Sequence, residues 1–223
     1  MPGLPKLLFA IAIVGVLASV TADAARADQI VFSNFGPGMT FNTVTGVTVS
    51  GSNVVGGQVV AQAFTPSGDF TFSSAQLAMG IIGGPNILQV VLMTSSGGFP
   101  GAILETITLS NAVAPFTSAG IVLANSTLHP VLESGTQYWL VAFAPEADTN
   151  MGWMLSLNDF STLNRSNSFH SLTGPWPAVG FRGFAFQING TPVPEPGTLW
   201  LLSPALAAIA LRGYRRRTTR ASS

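Results

Sequence analysis

The chain has 223 residues and no formal net charge, with 8% charged and 47% apolar side chains; that admits one globular domain plus processing segments and excludes a disordered chain. The zero balance conceals a weakly acidic body, because residues 28–191 hold only Arg165 and Arg182 against seven acids, a net charge of −5, which argues against a nucleic-acid partner. With no cysteine, the fold rests on its core alone, without disulfides or thiol chemistry.

At the start, Lys6 supplies a positive charge, Leu7 to Val20 an apolar run of 14 residues, and Ala25-Arg26-Ala27 a small-x-small cleavage site. The three parts in that order predict a secretory signal peptide over residues 1–27, a signal helix whose removal by signal peptidase leaves Asp28 as the new first residue. The alternative is a buried N-terminal helix. The apolar run is too short to span a bilayer, which takes about 20 residues.

From Asp28 to Thr191 the apolar spacing has period two, the mark of strands. Phe70 and Phe72 share one face; Ala75, Leu77, Met79 and Ile81 continue the alternation after a one-residue shift, which predicts a bulge near Ser73-Ser74. Asn86 to Met93 is an apolar run suited to a buried strand. Ile103, Glu105, Ile107 and Leu109 fall on one side of the next. Thr136 to Phe143 is rich in aromatic and β-branched residues, and Phe184, Phe186 and Ile188 alternate in a last strand. Gly83-Gly84-Pro85, Gly97 to Gly101, Glu133-Ser134-Gly135 and Gly174-Pro175-Trp176-Pro177 read as turns. Strands of about five to eight residues with breaks every ten or so predict an all-β domain, a jelly-roll-like antiparallel β-sandwich.

Residues 192–223 differ in kind. Pro192, Pro194 and Pro196 stop any strand or helix. Thr198 then caps an uncharged run to Leu211, about 21 Å long as a helix and short of the hydrocarbon core of about 30 Å. Arg212, Arg215, Arg216 and Arg217 follow and would stay on the cytoplasmic side. This is a marginal stop-transfer segment, a short hydrophobic helix of the kind found in removable sorting tails.

Side chains for chemistry are few. His129 and His170 are the two candidate neutral bases, far apart and each in a turn or loop, and no Gly-x-Ser-x-Gly elbow or zinc spacing accompanies them. A secreted hydrolase would need one of them, or a pair of carboxylates, in a cleft. No catalytic or metal site is assigned. Glu146, Asp148 and Asn150 place oxygens two apart before Gly152, a partial calcium pattern without a distal Glu; the plain alternative is an acidic turn. Tyr138, Trp139, Trp153 and Trp176 are the flat faces a pyranose ring could stack on. Tyr138 and Trp139 point to opposite faces of one strand, so one is core. Trp176, between two prolines, reads as exposed. Trp153 and Trp176 are therefore the candidate ligand contacts.

The tail Val193-Pro194-Glu195-Pro196-Gly197-Thr198, with its apolar run and arginine cluster, resembles the PEP-CTERM sorting signal of Gram-negative bacteria. Pro204 within the run departs from the smoother spans of that family. The resemblance implies that Pro194, Glu195 and Pro196 are recognised by an exosortase, a membrane cysteine transpeptidase. It implies an inner-membrane-anchored precursor and a mature form at the cell surface or in an extracellular, exopolysaccharide-rich matrix. In the body, Gln62-Ala63-Phe64-Thr65, Gly98-Phe99-Pro100-Gly101 and Ser134 to Val141 resemble the choice-of-anchor surface domains, R type, which have no assigned activity. Three functions stay open: a non-enzymatic structural or adhesive surface protein, an exopolysaccharide-binding module, and a secreted hydrolase.

Overall fold

The structure, a computed structural model, describes residues 27–54, 56–158, 164–167, 170–178 and 182–194. The expected signal helix, with Ala25, lies outside the described residues; so do Glu195, Pro196 and the expected C-terminal helix. One compact unit ends at Pro192, and Val193 begins a second.

Among the described residues, the first unit is built from β1 Gln29–Ser33, β2 Gly46–Ser50, β3 Val59–Phe64, β4 Phe70–Gly83, β5 Ile87–Ser96, β6 Phe99–Ser110, β7 Gly120–Asn125, β8 Val131–Leu132, β9 Tyr138–Phe143, β10 Asn150–Met154, β11 Asn164–Asn167 and β12 Phe186–Pro192. Two single 3-10 turns, Pro37–Met39 and Phe116–Ser118, complete it. All ladders between these strands are antiparallel. In the seven-stranded sheet, β4 is the spine. β12 and β10 pair end to end along one of its edges, and β7 and β8 along the other. β1 lies outside β12 and β2 outside β10. The second sheet has the order β11-β3-β9-β5-β6. The two enclose a common apolar core, so the molecule is the antiparallel sandwich that the two-residue alternation predicts. No helix among the described residues is long and apolar enough to cross a membrane.

The length of β4 depends on one irregularity. Asn189 pairs with Ser74 and Gly190 with Phe72, so Ser73 is an extra residue without a partner in β12. This bulge sits where the sequence alternation slips. It lets Phe70 and Phe72 on one side of it, and Ala75, Leu77 and Met79 on the other, all face the core. A second bulge overturns an expectation. Leu92 pairs with Glu105 but Met93 with Ile103, which makes Leu104 the extra residue of β6. Glu105, Ile107 and Leu109 keep their inward side, whereas Ile103 turns out to 51% exposure and Leu104 packs on the core instead. The turn expected over Gly97 to Gly101 is also shorter. Only Gly97 and Gly98 form it, with φ of 59° and 79°, the left-handed pair that a two-residue hairpin needs. Phe99, Pro100 and Gly101 already belong to β6, an edge strand where proline's missing N–H is tolerated.

Both faces of the five-stranded sheet are covered over β3, β9 and β5. Val60, Leu88, Val90, Leu92, Tyr138, Leu140 and Ala142 join the central core. Their odd-numbered neighbours Val59, Ala61, Ala63, Val91, Met93, Trp139 and Val141 form a second apolar layer on the outside, under Leu172 and Trp176. The near-continuous apolar runs of β5 and β9 follow from this, since a strand buried on two faces has no polar face to alternate with.

Candidate functional site

The segment from His170 to Ala178 lies across that outer layer. It is pinned to β11 by the bond from the Ser166 N–H to the Pro177 carbonyl, 3.1 Å, and by a bridge between Arg165 and Ala178. Between this segment and the end of the β5–β6 hairpin runs an open groove of about 900 Å³. Ser96, Phe99, Pro100 and Gly101 form one wall, Thr173 to Ala178 the other, and Arg165 lines it from β11. The Arg165 guanidinium lies 5.3 Å from the centre of the Phe99 ring and 5.7 Å from that of Trp139, within range of a cation–π attraction to each. One of its Nη atoms donates to the Asn164 carbonyl at 2.9 Å. Phe99 is 46% exposed and presents its ring at the groove mouth. The backbone also brings Arg182 to this edge, because Asn164 Nδ2 donates to the Arg182 carbonyl at 3.2 Å.

The tryptophans occupy other places than expected. Trp176 is buried, at 6% exposure, although proline stands on both sides of it. The reason is the outer face of the five-stranded sheet. Its small residues Ala61 and Ala63 leave room for an indole, and burying that ring over the apolar layer outweighs whatever the prolines favour locally. Its N–H edge packs on Gly174, where a Cβ would stand 2.9 Å from the ring, and this N–H has no hydrogen-bond partner. Trp176 still lines the groove. Trp153 offers nothing to a ligand: it is fully buried in the central core, its N–H donating to the Ala185 carbonyl at 3.0 Å. Tyr138 and Trp139 do point to opposite faces, but both are buried because both faces are covered. The sequence reading passed over Phe99 and Arg165. The signal available was that this acidic body contains only two cations; that Arg165 comes to lie against Phe99 depends on strand pairing.

Neither imidazole bonds a serine or a carboxylate in the hydrogen bonds the structure gives it, although the His129 backbone N–H donates to Ser126 Oγ at 2.9 Å. His129 Nδ1 reaches the Phe72 carbonyl at 3.2 Å, and His170 Nε2 the Ala144 carbonyl at 2.6 Å. A carbonyl only accepts, so each ring donates there and ties a turn to a neighbouring strand. His170 also stacks on Phe143, centres 4.7 Å apart. Glu146 and Asp148 are exposed in the tight turn before β10, which the Thr149 N–H closes onto the Glu146 carbonyl at 3.1 Å. Asp148 Oδ1 accepts from Asn53 at 2.8 Å. Asn150 opens β10. Among the described residues no three acidic or histidine side chains converge on a point. The turn is seated on glycines. A Cβ on Gly51 would collide with the carbonyls of Glu146 and Ala147, and one on Gly84 with that of Asp148.

Among the described residues Glu105 is the one deeply buried acid, at 2% exposure. Its carboxylate accepts from Ser126 Oγ at 2.6 Å, from the backbone N–H groups of Thr127 at 2.6 Å and Leu128 at 3.0 Å, and from Thr127 Oγ1 at 3.2 Å. Burial on its own would raise its pKa; the bonds from Ser126, Thr127 and Leu128 outweigh that and hold it below the ordinary value. This carboxylate fastens the turn after β7 to β6, across the open side of the sandwich.

At the domain's own ends, Asp28 precedes β1 and its carboxylate accepts from Ser73 Oγ at 2.7 Å and Thr191 Oγ1 at 3.0 Å. Pro194 is exposed. No family model, no curated protein and no solved structure matches this chain.

Proposed function

We propose that this chain is an exported, non-enzymatic surface protein with a structural or adhesive role, delivered through a signal peptide and sorted by its C-terminal tail. An exosortase recognises Pro194, Glu195 and Pro196, the precursor is held transiently at the inner membrane, and the mature body resides at the cell surface or in the extracellular matrix of a Gram-negative bacterium. The observation that carries this reading is the tail itself: motif, short apolar run and arginine cluster follow in that order at the C-terminus. The body is compatible with losing both ends. The first residue after the expected cleavage, Asp28, is hydrogen-bonded to Thr191 near the other end of the domain, so the segments on either side can leave without opening it. Intact mass of the protein from its native host tests both ends at once. The expected product begins at Asp28 and lacks Arg215 to Arg217; a product that keeps those arginines in a strain with an active sorting enzyme overturns the proposal.

The second reading, an exopolysaccharide-binding module, has one observation in its favour. The groove at β11 combines an exposed ring, Phe99, with a guanidinium held at aromatic faces and a tryptophan in its wall. Trp153 takes no part in it.

A further inference from the structure

We infer that the body pairs with a second copy of itself through the open side of the sandwich, β6 against β6 about a two-fold axis. Both sheets end on this side. Among the described residues β6 is bonded to β5 alone, and β7 and β8 to β4 alone. β6 and β7 lie next to each other there, and Glu105 of β6 accepts from Ser126 directly after β7. The outer backbone groups of an edge strand are a template for another strand unless charge, proline or a bulge blunts them. In β6 those devices stop halfway. Pro100 and the Leu104 bulge guard its first half, whereas Glu105 to Ser110 runs on in regular register with β5. The one charged residue of β6, β7 and β8 is Glu105, and its carboxylate is buried and held by Ser126, Thr127 and Leu128.

Charge and shape together select a second copy as the occupant. Each body carries a net charge of −5, and the exposed acids Asp69, Glu133, Glu146 and Asp148 stand outside the strands. Two copies repel through those turns, while the strands of the open side bring no exposed charge together. Ile107 and Leu109 face the core yet stay half-buried, because the sandwich is open beside them. A lone extended peptide could lengthen one sheet. Another sandwich, open on the same side, lengthens the sheet and also brings a second layer over these residues. A two-fold pair is isologous and antiparallel. Centred on Ile107, it sets the exposed Thr106 of one copy beside Thr108 of the other, a favourable cross-strand combination. This association belongs to the body and does not depend on how the tail is processed, so the two proposals fail separately.

Sedimentation velocity of the purified full-length chain over a range of concentrations tests this. The expected result is a reversible monomer–dimer equilibrium. Thr106→Lys combined with Thr108→Lys should weaken dimerisation at least tenfold, because it sets like charges opposite one another on the edge. Both threonines are exposed, so the melting temperature should not change; should the double variant fail to fold, either single substitution serves. Leu123→Lys is the control. Leu123 is 47% exposed on the outer face of the other sheet, and its variant should dimerise as the wild type does. A monomer at every concentration overturns the proposal. So does a dimer that the lysine pair leaves intact, which would place the contact at the apolar ends of the chain, or one lost in Leu123→Lys instead, which would place it on the outer sheet face.

Discussion

Glu105 shows how one side chain's chemistry is set by its surroundings. Isoleucines flank it at alternate positions along β6, and it faces the same way as Ile107 and Leu109, into the sandwich. A carboxylate there survives because four hydrogen bonds replace its water. Its folded pKa lies below the unfolded value near 4.5. Its contribution to stability is therefore present above that value and is lost as the pH falls through the depressed folded pKa. Glu105→Gln should cost about 1.5–3 kcal/mol at neutral pH. It should also flatten the acid limb of the stability profile, which urea unfolding at stepwise pH would read. Gly51 is decisive in another way. Its neighbours are backbone carbonyls of the turn before β10, which cannot swing aside as a side chain could. Gly51→Ala should cost about 3 kcal/mol, seen as a lower urea midpoint with unchanged slope.

Among the elements, the His170–Ala178 segment has the largest structural effect for its size. It contains no regular secondary structure beyond a turn and the Ala178 bridge, yet it covers the outer apolar layer of β3, β5 and β9 and forms a wall of the groove. Leu172 and Trp176 are its anchors, and His170 fastens its start to the Ala144 carbonyl. Trp176→Ala should cost about 3 kcal/mol or more. It should also uncover Val59, Val91 and Val141, which binding of a hydrophobic dye to the otherwise folded protein would report. The opposite sheet shows the same arrangement on a smaller scale. The Phe116 ring lies on its outer face over Gly80 and Gly152, where the absence of a Cβ gives it space.

At the scale of the whole molecule, the first and last strands lie side by side. β1 pairs with β12, and Asp28 joins Ser73 of β4 to Thr191. A protein held without disulfides closes its sandwich through such contacts between distant parts of the chain, and through the Glu105 fastening on the side away from β11. A chain cut to residues 28–192 should therefore unfold cooperatively with a melting temperature within about 3 °C of the body in the full chain, as scanning calorimetry would show. Loss of cooperative unfolding would mean that the ends contribute to the fold.

By itself the sequence determined the class of fold, the alternation of the central strands and the Ser73 bulge. Each is written in the local spacing of apolar residues, and burial on a pleated strand obeys that spacing directly. The glycine turns were legible for the same reason, since positive φ is a local demand. The Leu104 bulge was not, because Ile103 and Leu104 are equally apolar and only the pairing with β5 decides which turns inward. The burial of Trp176 was not, because proline neighbours act locally while the apolar face that receives the ring comes from β3, β5 and β9. The groove is the clearest case. Phe99 comes from a hairpin, Arg165 from an edge strand and Trp176 from a covering segment; only the tertiary structure decided that these three share one edge.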